Sequence, residues 1–127
     1  MNLNEALRIH LASLDAGHSD FEDTLTLLER YFDYLPAGFH NGPLYNRPGE
    51  NEGSCRIFAL GQFGNLGEAQ TLSLFGRHYR SVLDDPAGSN HGNIRQFMTT
   101  GWSGIRFEGP VLRPAVDKNP STQEIQE

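Results

Sequence analysis

Short helical stripes of apolar residues, broken by glycine and proline, constrain the fold of this chain more than any other sequence feature. The first stripe recurs at intervals of four, four and three residues and comprises Leu3, Leu7, Leu11 and Leu14. Asn2 precedes it as a candidate N-cap, and Gly17 follows it as a stop signal. The spacing therefore predicts an amphipathic helix at the start of the chain.

A second helix is predicted to begin at a capping box over residues 19–22, Ser-Asp-Phe-Glu. Its acidic first turn is interpreted as helix capping rather than as paired catalytic carboxylates, because negative charge stabilises the positive end of a helix. The predicted buried face of this helix comprises Phe21, Leu25, Leu28 and Phe32.

Three further helices are predicted. The third runs from Cys55 to Phe63 with Ser54 as its cap. The fourth covers residues 69–83 and contains Gly76, which is unfavourable inside a helix and therefore suggests a close approach by a neighbouring element. The fifth begins near Asn90 and ends at Gly101.

Two segments favour strands. Residues 39–45 contain the turn signal Asn-Gly, and residues 104–109 alternate apolar and polar side chains between glycines. The sequence thus predicts an α+β, mainly helical fold with about five helices and a small antiparallel two-stranded sheet, formed by 39–45 and 104–112. We expect one domain over residues 1–113 and a disordered tail over 114–127, where no hydrophobic face is present.

Composition excludes several classes of function. The chain has 16 acidic and 10 basic residues, a net charge of −6, and no local basic patch, which argues against nucleic acid as a partner. No apolar run is long enough to cross a membrane, so no membrane insertion is expected. A single cysteine cannot form an internal disulfide, and the start of the chain lacks the pattern of a secretory signal, which favours the cytoplasm.

Cys55 is the sharpest candidate for chemistry. A cysteine in the first turn of a helix has a lowered thiol pKa. His78 and His91 follow Cys55 in chain order as candidate bases, so a cysteine-dependent hydrolase is one hypothesis of function. Burial in the core is the alternative, and it is favoured because Cys55 begins an apolar helix without a local catalytic signature. The histidines show no metal-ligand spacing, and we expect neither a metal nor a cofactor.

The loop over residues 42–53 is the candidate binding segment, since long ordered loops often carry function. Its asparagines, together with Asn41 and the single tryptophan, give the candidate binding residues Asn41, Asn46, Asn51 and Trp102. Trp102 lies between two glycines, where filling the end of the core is favoured over an exposed contact. A pocket roofed by the 42–53 loop, with convergent polar groups, would indicate small-ligand binding instead.

Several motifs in this order resemble the HopJ type III effector protein family. They are Phe39–Gly42, then NEGSCRIFAL over 51–60, TLSLFGRHYR over 71–80 and NHGNIRQFMTTGWSGIRFEG over 90–109. The resemblance covers about residues 3–113. It implies a bacterial protein injected into a host cell by type III secretion, and it carries over no catalytic residues.

The sequence therefore supports three hypotheses of function. The preferred one is an effector, or an effector-related protein of the bacterial cytoplasm, that binds a protein partner and catalyses no reaction. The partner belongs to the host or to the bacterium, and the sequence does not specify an oligomeric state. The alternatives are the hydrolase based on Cys55 with His78 or His91, and a small-ligand-binding domain.

Overall fold

Helices form most of the fold, and two small antiparallel sheets complete it. The computed structural model describes residues 1–115, so most of the predicted tail lies outside the described residues. In chain order the elements are α1 (Leu3–Asp15), α2 (Phe21–Tyr31), β1 (Phe32–Tyr34), β2 (Phe39–Asn41), β3 (Leu44–Asn46), α3 (Glu52–Phe63), α4 (Glu68–Ser73), α5 (Arg77–Asp84), α6 (Gly92–Thr100), a 3-10 turn (Gly101–Gly104), β4 (Ile105–Phe107) and β5 (Leu112–Pro114). The predicted fold class is confirmed.

The predicted strand pair forms the centre of the larger sheet. β2 pairs antiparallel with β4, with Phe39 opposite Phe107 and Asn41 opposite Ile105. β3 pairs with the other edge of β2 through a two-residue turn, so the 39–45 segment folds into a hairpin rather than one strand. The sheet therefore has three strands where two were predicted.

β1 and β5 form the second sheet, which was not predicted. Phe32 was expected on the buried face of the second helix, but it opens β1 and pairs with Pro114. The Ala115 amide donates to the Tyr31 carbonyl at 2.9 Å, so ordered pairing continues past residue 113. β1 follows α2 directly, with no turn residue between Tyr31 and Phe32, so no sequence signal separates the helix from the strand.

Helix α3 is the central element of the core. The Phe58 ring packs against those of Phe39, Phe75 and Phe97, with centroids 6.1, 5.5 and 4.9 Å apart. The buried residues of α3 lie on most of its circumference and comprise Cys55, Ile57, Phe58, Ala59, Leu60 and Gly61. Such a helix is surrounded by its neighbours, and its first turn faces the ends of the elements around it.

Gly76 separates two helices where one was predicted over residues 69–83. Its φ is +57°, and a Cβ at this position would contact Asp20 Oδ1 and approach the Phe21 amide nitrogen to 2.7 Å. The expected close approach of a neighbouring element is therefore confirmed. The prediction of one continuous helix is wrong, because the chain turns at Gly76, where the start of α2 packs against it.

Helices α1 and α2 begin at side-chain caps. Asn2 Oδ1 accepts from the Glu5 amide at 2.9 Å, as predicted for α1. In α2 the cap is Asp20 rather than Ser19, and its partner in the capping box is Asp23. His10 joins these two helices to the end of α4, since its Nε2 lies 2.6 Å from Thr24 Oγ1, which donates to the Leu74 carbonyl at 2.8 Å.

Candidate functional site

A cavity of about 360 Å3 lies where four helices begin. Phe21 is the first residue of α2, Ser54 lies in the first turn of α3, His78 is the second residue of α5, and Asn93 lies in the first turn of α6. The complete lining consists of Phe21, Asn51, Gly53, Ser54, Phe75, His78, His91, Gly92, Asn93 and Ile94. No carboxylate is among these ten residues.

Two histidines form one wall of the cavity. The rings of His78 and His91 have centroids 5.1 Å apart, and His78 meets the Phe21 ring edge-on at 4.7 Å. Burial, followed by the nearby Arg77 and His91, lowers the pKa of His78 below its ordinary value of 6.5, so this ring is neutral at pH 7. Within residues 1–115, neither imidazole has a hydrogen-bond partner.

Ser54 adds a third polar group without a protein partner. It was predicted to cap α3, but the helix begins earlier, at Glu52, and Asn51 occupies the N-cap position. Ser54 lies instead in the first turn and lines the cavity. Its hydroxyl makes no hydrogen bond to the described residues, and it is therefore free for a ligand.

Buried asparagine amides fix the side of the cavity formed by the β2–β3 hairpin. Asn46 Oδ1 accepts from Asn51 Nδ2 at 2.7 Å and from Asn93 Nδ2 at 3.0 Å. Asn41 Nδ2 donates to the Asn93 carbonyl at 2.9 Å and to its Oδ1 at 3.0 Å. The network thus locks together the 42–53 loop, the hairpin and α6.

The predicted binding residues divide into two groups. Asn41 and Asn46 are buried and position the cavity from behind, whereas Asn51 lies on its wall. Trp102 lies elsewhere, half-buried, with Nε1 donating to the Leu66 carbonyl at 3.0 Å and its ring edge-on to Phe97 at 5.0 Å. The structure brings Asn51 together with the two histidines and leaves Trp102 apart.

The starts of α3 and α6 have the same unusual geometry. Asn51 and His91 precede these helices with φ of 50° and 54°, in the left-handed region that non-glycine residues rarely adopt. Neither helix has a side-chain cap. Backbone strain and exposed amide groups therefore meet at the same cavity.

Two arginines position the histidines. Arg95 reaches back from α6 to the preceding loop, where its guanidinium donates to the Asn90 carbonyl at 2.6 Å and to the Asp85 carbonyl at 2.9 Å. This holds the loop that delivers His91. Arg77, beside His78, is paired with the Glu22 carboxylate through two hydrogen bonds of 2.6 and 2.7 Å.

Cys55 is close in sequence to the cavity but does not line it. The thiol is 1% exposed, and its sulfur lies 3.8 Å from the Ala37 carbonyl oxygen. Burial, and to a smaller extent Glu52, raises the pKa of Cys55 to about 11. These are the properties of a packed core thiol and are opposite to those of an activated nucleophile. The hydrolase hypothesis gains no support at this residue.

The remaining residues of the cavity were missed as site residues by sequence reasoning. Ser54 and Gly92 lie inside the stretches GSC and NHGNIRQFM, which gave only a helix cap and the family resemblance. No local signal identifies them, because the cavity joins segments from four helices. Among residues 1–115 there is no group of three or more histidine, cysteine or acidic side chains arranged to hold a metal ion.

Comparisons place this fold in a protein family. Residues 7–112 match the family described as HopJ type III effector protein. The match covers most of the chain, and the protein therefore belongs to the HopJ family.

A solved structure shares the fold. It is described as the crystal structure of unknown function protein VPA0580 and is 42% identical, with a TM-score of 0.79 over 85% of this chain and 92% of that one. Among curated proteins, no significant match was found. In the part of the chain that the structure describes, no helix has the length and apolar character needed to span a membrane.

Proposed function

We propose that this HopJ protein is a binding protein whose cavity at the helix starts takes a small ligand. The observation that carries the proposal is the convergence on one cavity of three polar side chains that have no hydrogen-bond partner within residues 1–115: His78, His91 and Ser54. Polar groups that lack protein partners inside a depression are the usual means of orienting a ligand.

The size and lining of the cavity support this function. A volume of about 360 Å3 lies at the lower end of the range for small-molecule sites. Phe21, Phe75 and Ile94 supply apolar wall, and the two imidazoles with Asn51 supply the polar groups. Such a lining supports the small-ligand hypothesis, and Asn51 and Gly53 of the 42–53 loop contribute to it.

Binding without catalysis is the better interpretation of this site. The thiol of Cys55 is buried and has a raised pKa, so it supplies no nucleophile. The lining has no carboxylate that would orient the histidines for general acid–base catalysis.

Thermal-shift screening of a metabolite library tests the proposal. We expect at least one compound to raise Tm in the wild type and to lose that effect in His78→Gln and His91→Gln. His18→Gln is the matched control, because His18 is exposed at the end of α1 and lies outside the cavity. If compounds that raise Tm act equally on all three variants, the cavity is not the binding site.

We also propose, from membership of the HopJ family, that the protein is delivered into a host cell and binds a protein there. β3 supports this second proposal, since it is the edge of its sheet and exposes Leu44 and Tyr45. An extended segment of the partner would add to β3 as a further strand.

Two measurements test the second proposal. A translocation reporter fused to the protein should enter host cells only when the secretion apparatus is intact. A photocrosslinker at residue 45 should then give one dominant adduct, and substituting Leu44→Ser should abolish it. Secretion-independent entry would contradict delivery, and an adduct that persists in the Leu44 variant would contradict binding at β3.

A further inference from the structure

We infer that the ligand of this cavity carries an oxyanion, of the phosphate or carboxylate type, on a small apolar body. The inference rests on the proposed function, because it names the chemical class of ligand for the same cavity. Its starting point is three cavity side chains that have no hydrogen-bond partner in the described part of the chain: the imidazoles of His78 and His91 and the hydroxyl of Ser54. All three can donate a hydrogen bond to an anionic oxygen.

The charges around the cavity favour an anion. None of its ten lining residues is acidic. The nearest carboxylates on α2 are already engaged by cations from α5, since Arg77 pairs with Glu22 at 2.6 Å and Arg80 approaches Asp20 at 3.5 Å. A ligand in the cavity therefore meets hydrogen-bond donors, while the carboxylates of Asp20 and Glu22 are already paired with arginine.

Backbone groups add to the side chains. Helices α3 and α6 have twelve and nine residues, and both begin at the cavity without a side-chain cap. The amide groups of such a first turn point out of the helix and attract negative charge. In this cavity they add to the donors supplied by the imidazoles and the Ser54 hydroxyl.

The electrostatic surroundings of His78 predict how it responds to a bound anion. Arg77 and His91 disfavour its protonated form, while Glu22 and Asp20 on α2 favour it. An oxyanion beside the ring would stabilise the imidazolium and so raise the pKa of His78. A neutral ligand would bury the ring further without supplying that charge.

Aromatic and aliphatic side chains in the cavity indicate that the rest of the ligand is apolar. Phe21, Phe75 and Ile94 line the cavity together with the polar groups. An inorganic anion alone would leave this apolar wall in contact with water. A compact apolar group attached to the anion would cover it and add affinity in proportion to the area buried.

NMR titration of the histidine ring protons tests the inference with defined probes. The probes are phenyl phosphate, inorganic phosphate and benzyl alcohol, each added to the full-length protein at pH 7. We expect phenyl phosphate to shift the His78 and His91 signals and to bind at least about tenfold more tightly than benzyl alcohol, a difference of ~1.4 kcal/mol. Inorganic phosphate should shift the same signals at higher concentration.

Two further measurements make the test specific. Saturation with phenyl phosphate should raise the pKa of His78 measured from its ring proton. The variant His91→Gln should weaken binding of phenyl phosphate more than that of benzyl alcohol, while His18→Gln should leave both unchanged. Circular dichroism of each variant verifies that the fold is retained.

The outcomes separate this inference from the proposed function. If benzyl alcohol or a neutral compound from the library binds at the histidines while both phosphates do not, the oxyanion inference is overturned and the ligand-binding function stands. If no compound of any charge shifts the histidine signals, both fail. Phosphate binding that is insensitive to His91→Gln overturns the inference by placing the anion elsewhere.

Discussion

The four helices that begin at the cavity do so in two contrasting ways. Helices α2 and α5 share one carboxylate, since Asp20 Oδ1 accepts from the Phe21 amide and from the Arg77 amide, each at 2.8 Å. Helices α3 and α6 begin instead at Asn51 and His91, which have left-handed backbone conformations and provide no side-chain cap.

This contrast separates a stabilising region from a binding region. In the first pair Asp20 accepts from the Phe21 and Arg77 amides, and arginine–carboxylate pairs lie beside it. The second pair retains backbone strain and has no side-chain cap, and His91 and Ser54 lie at these two starts, while His78 faces the same cavity from α5. Strain and unsatisfied polar groups cluster at functional sites because a bound ligand can compensate them.

The largest expected effect comes from separating α2 from α5 with Gly76→Ala. The methyl group would contact Asp20 and the Phe21 amide, and the residue would also be held at a positive φ. We expect a loss of about 3 kcal/mol in the free energy of unfolding, measured with urea.

Gly49→Ala is the matched control for this substitution. Its φ is +87°, but no atom lies within 4 Å of the added Cβ, so only the conformational cost of about 1 kcal/mol is expected. Equal losses in the two variants would show that contact with α2 is unimportant.

Removing the shared carboxylate should have the next largest effect. Asp20→Ala takes the cap from α2 and the acceptor from the Arg77 amide, and each lost cap is worth about 1 kcal/mol. We therefore expect a loss of about 2 kcal/mol. Asp20→Asn keeps an acceptor oxygen and should lose less than half as much, and a full loss in that variant would assign the effect to charge rather than to capping.

The cavity histidine His78 and the shared cap Asp20 should titrate in different pH ranges. The pKa of His78 is lowered from 6.5 by burial, so its unfolded form binds protons first and stability falls as pH decreases through about 6.5. The pKa of Asp20 is lowered from 3.8 by its hydrogen bonds to the Arg77 and Phe21 amides, so its contribution is present above that value and is lost at more acidic pH.

Urea unfolding between pH 8 and pH 3 measures both ranges. His78→Gln should reduce the pH dependence of the free energy of unfolding near pH 6.5 only in part, because burial also lowers the pKa of His10. Asp20→Asn should reduce the pH dependence of the free energy of unfolding at acidic pH, where Glu22 also contributes. A His78 variant whose curve matches the wild type throughout would contradict the assignment of the upper range.

The smallest expected effect is a gain in stability. His91→Gly removes the strain of a left-handed non-glycine residue and should raise the free energy of unfolding by about 0.5 kcal/mol while abolishing ligand binding. Asn65→Gly relieves the same strain at φ of 54° outside this cavity and should stabilise the protein without affecting binding. Destabilisation by His91→Gly alone would mean that the His91 ring is structural.

Much of the fold could be predicted from local patterns. The leucine stripe and Asn2 gave α1 correctly, and the glycine-bounded segment gave β4 together with its pairing to residues 39–41. The end of one helix and the start of the next at Gly76 could not be predicted. A glycine inside a helix and a glycine between two helices have the same sequence signal, and only the tertiary contact with Asp20 distinguishes them. For the same reason six helices are found within residues 1–115 where about five were predicted.

The candidate site was predictable only in its components. His78 and His91 were named together in the hydrolase hypothesis and Asn51 among the binding residues, and the three lie on α5, before α6 and before α3. Their meeting depends on tertiary packing around Phe58 and Phe75. The left-handed conformation of His91 has no sequence signature either, because such positions are normally recognised by glycine.

The burial of Cys55 makes the only thiol an internal reporter of unfolding. A thiol that is 1% exposed and has a pKa of about 11 will react with a disulfide reagent only when helix α3 leaves the core. The labelling rate in native buffer therefore measures the opening equilibrium of the domain at a single atom, without an engineered probe. Ligands that bind at the start of the same helix should slow that rate.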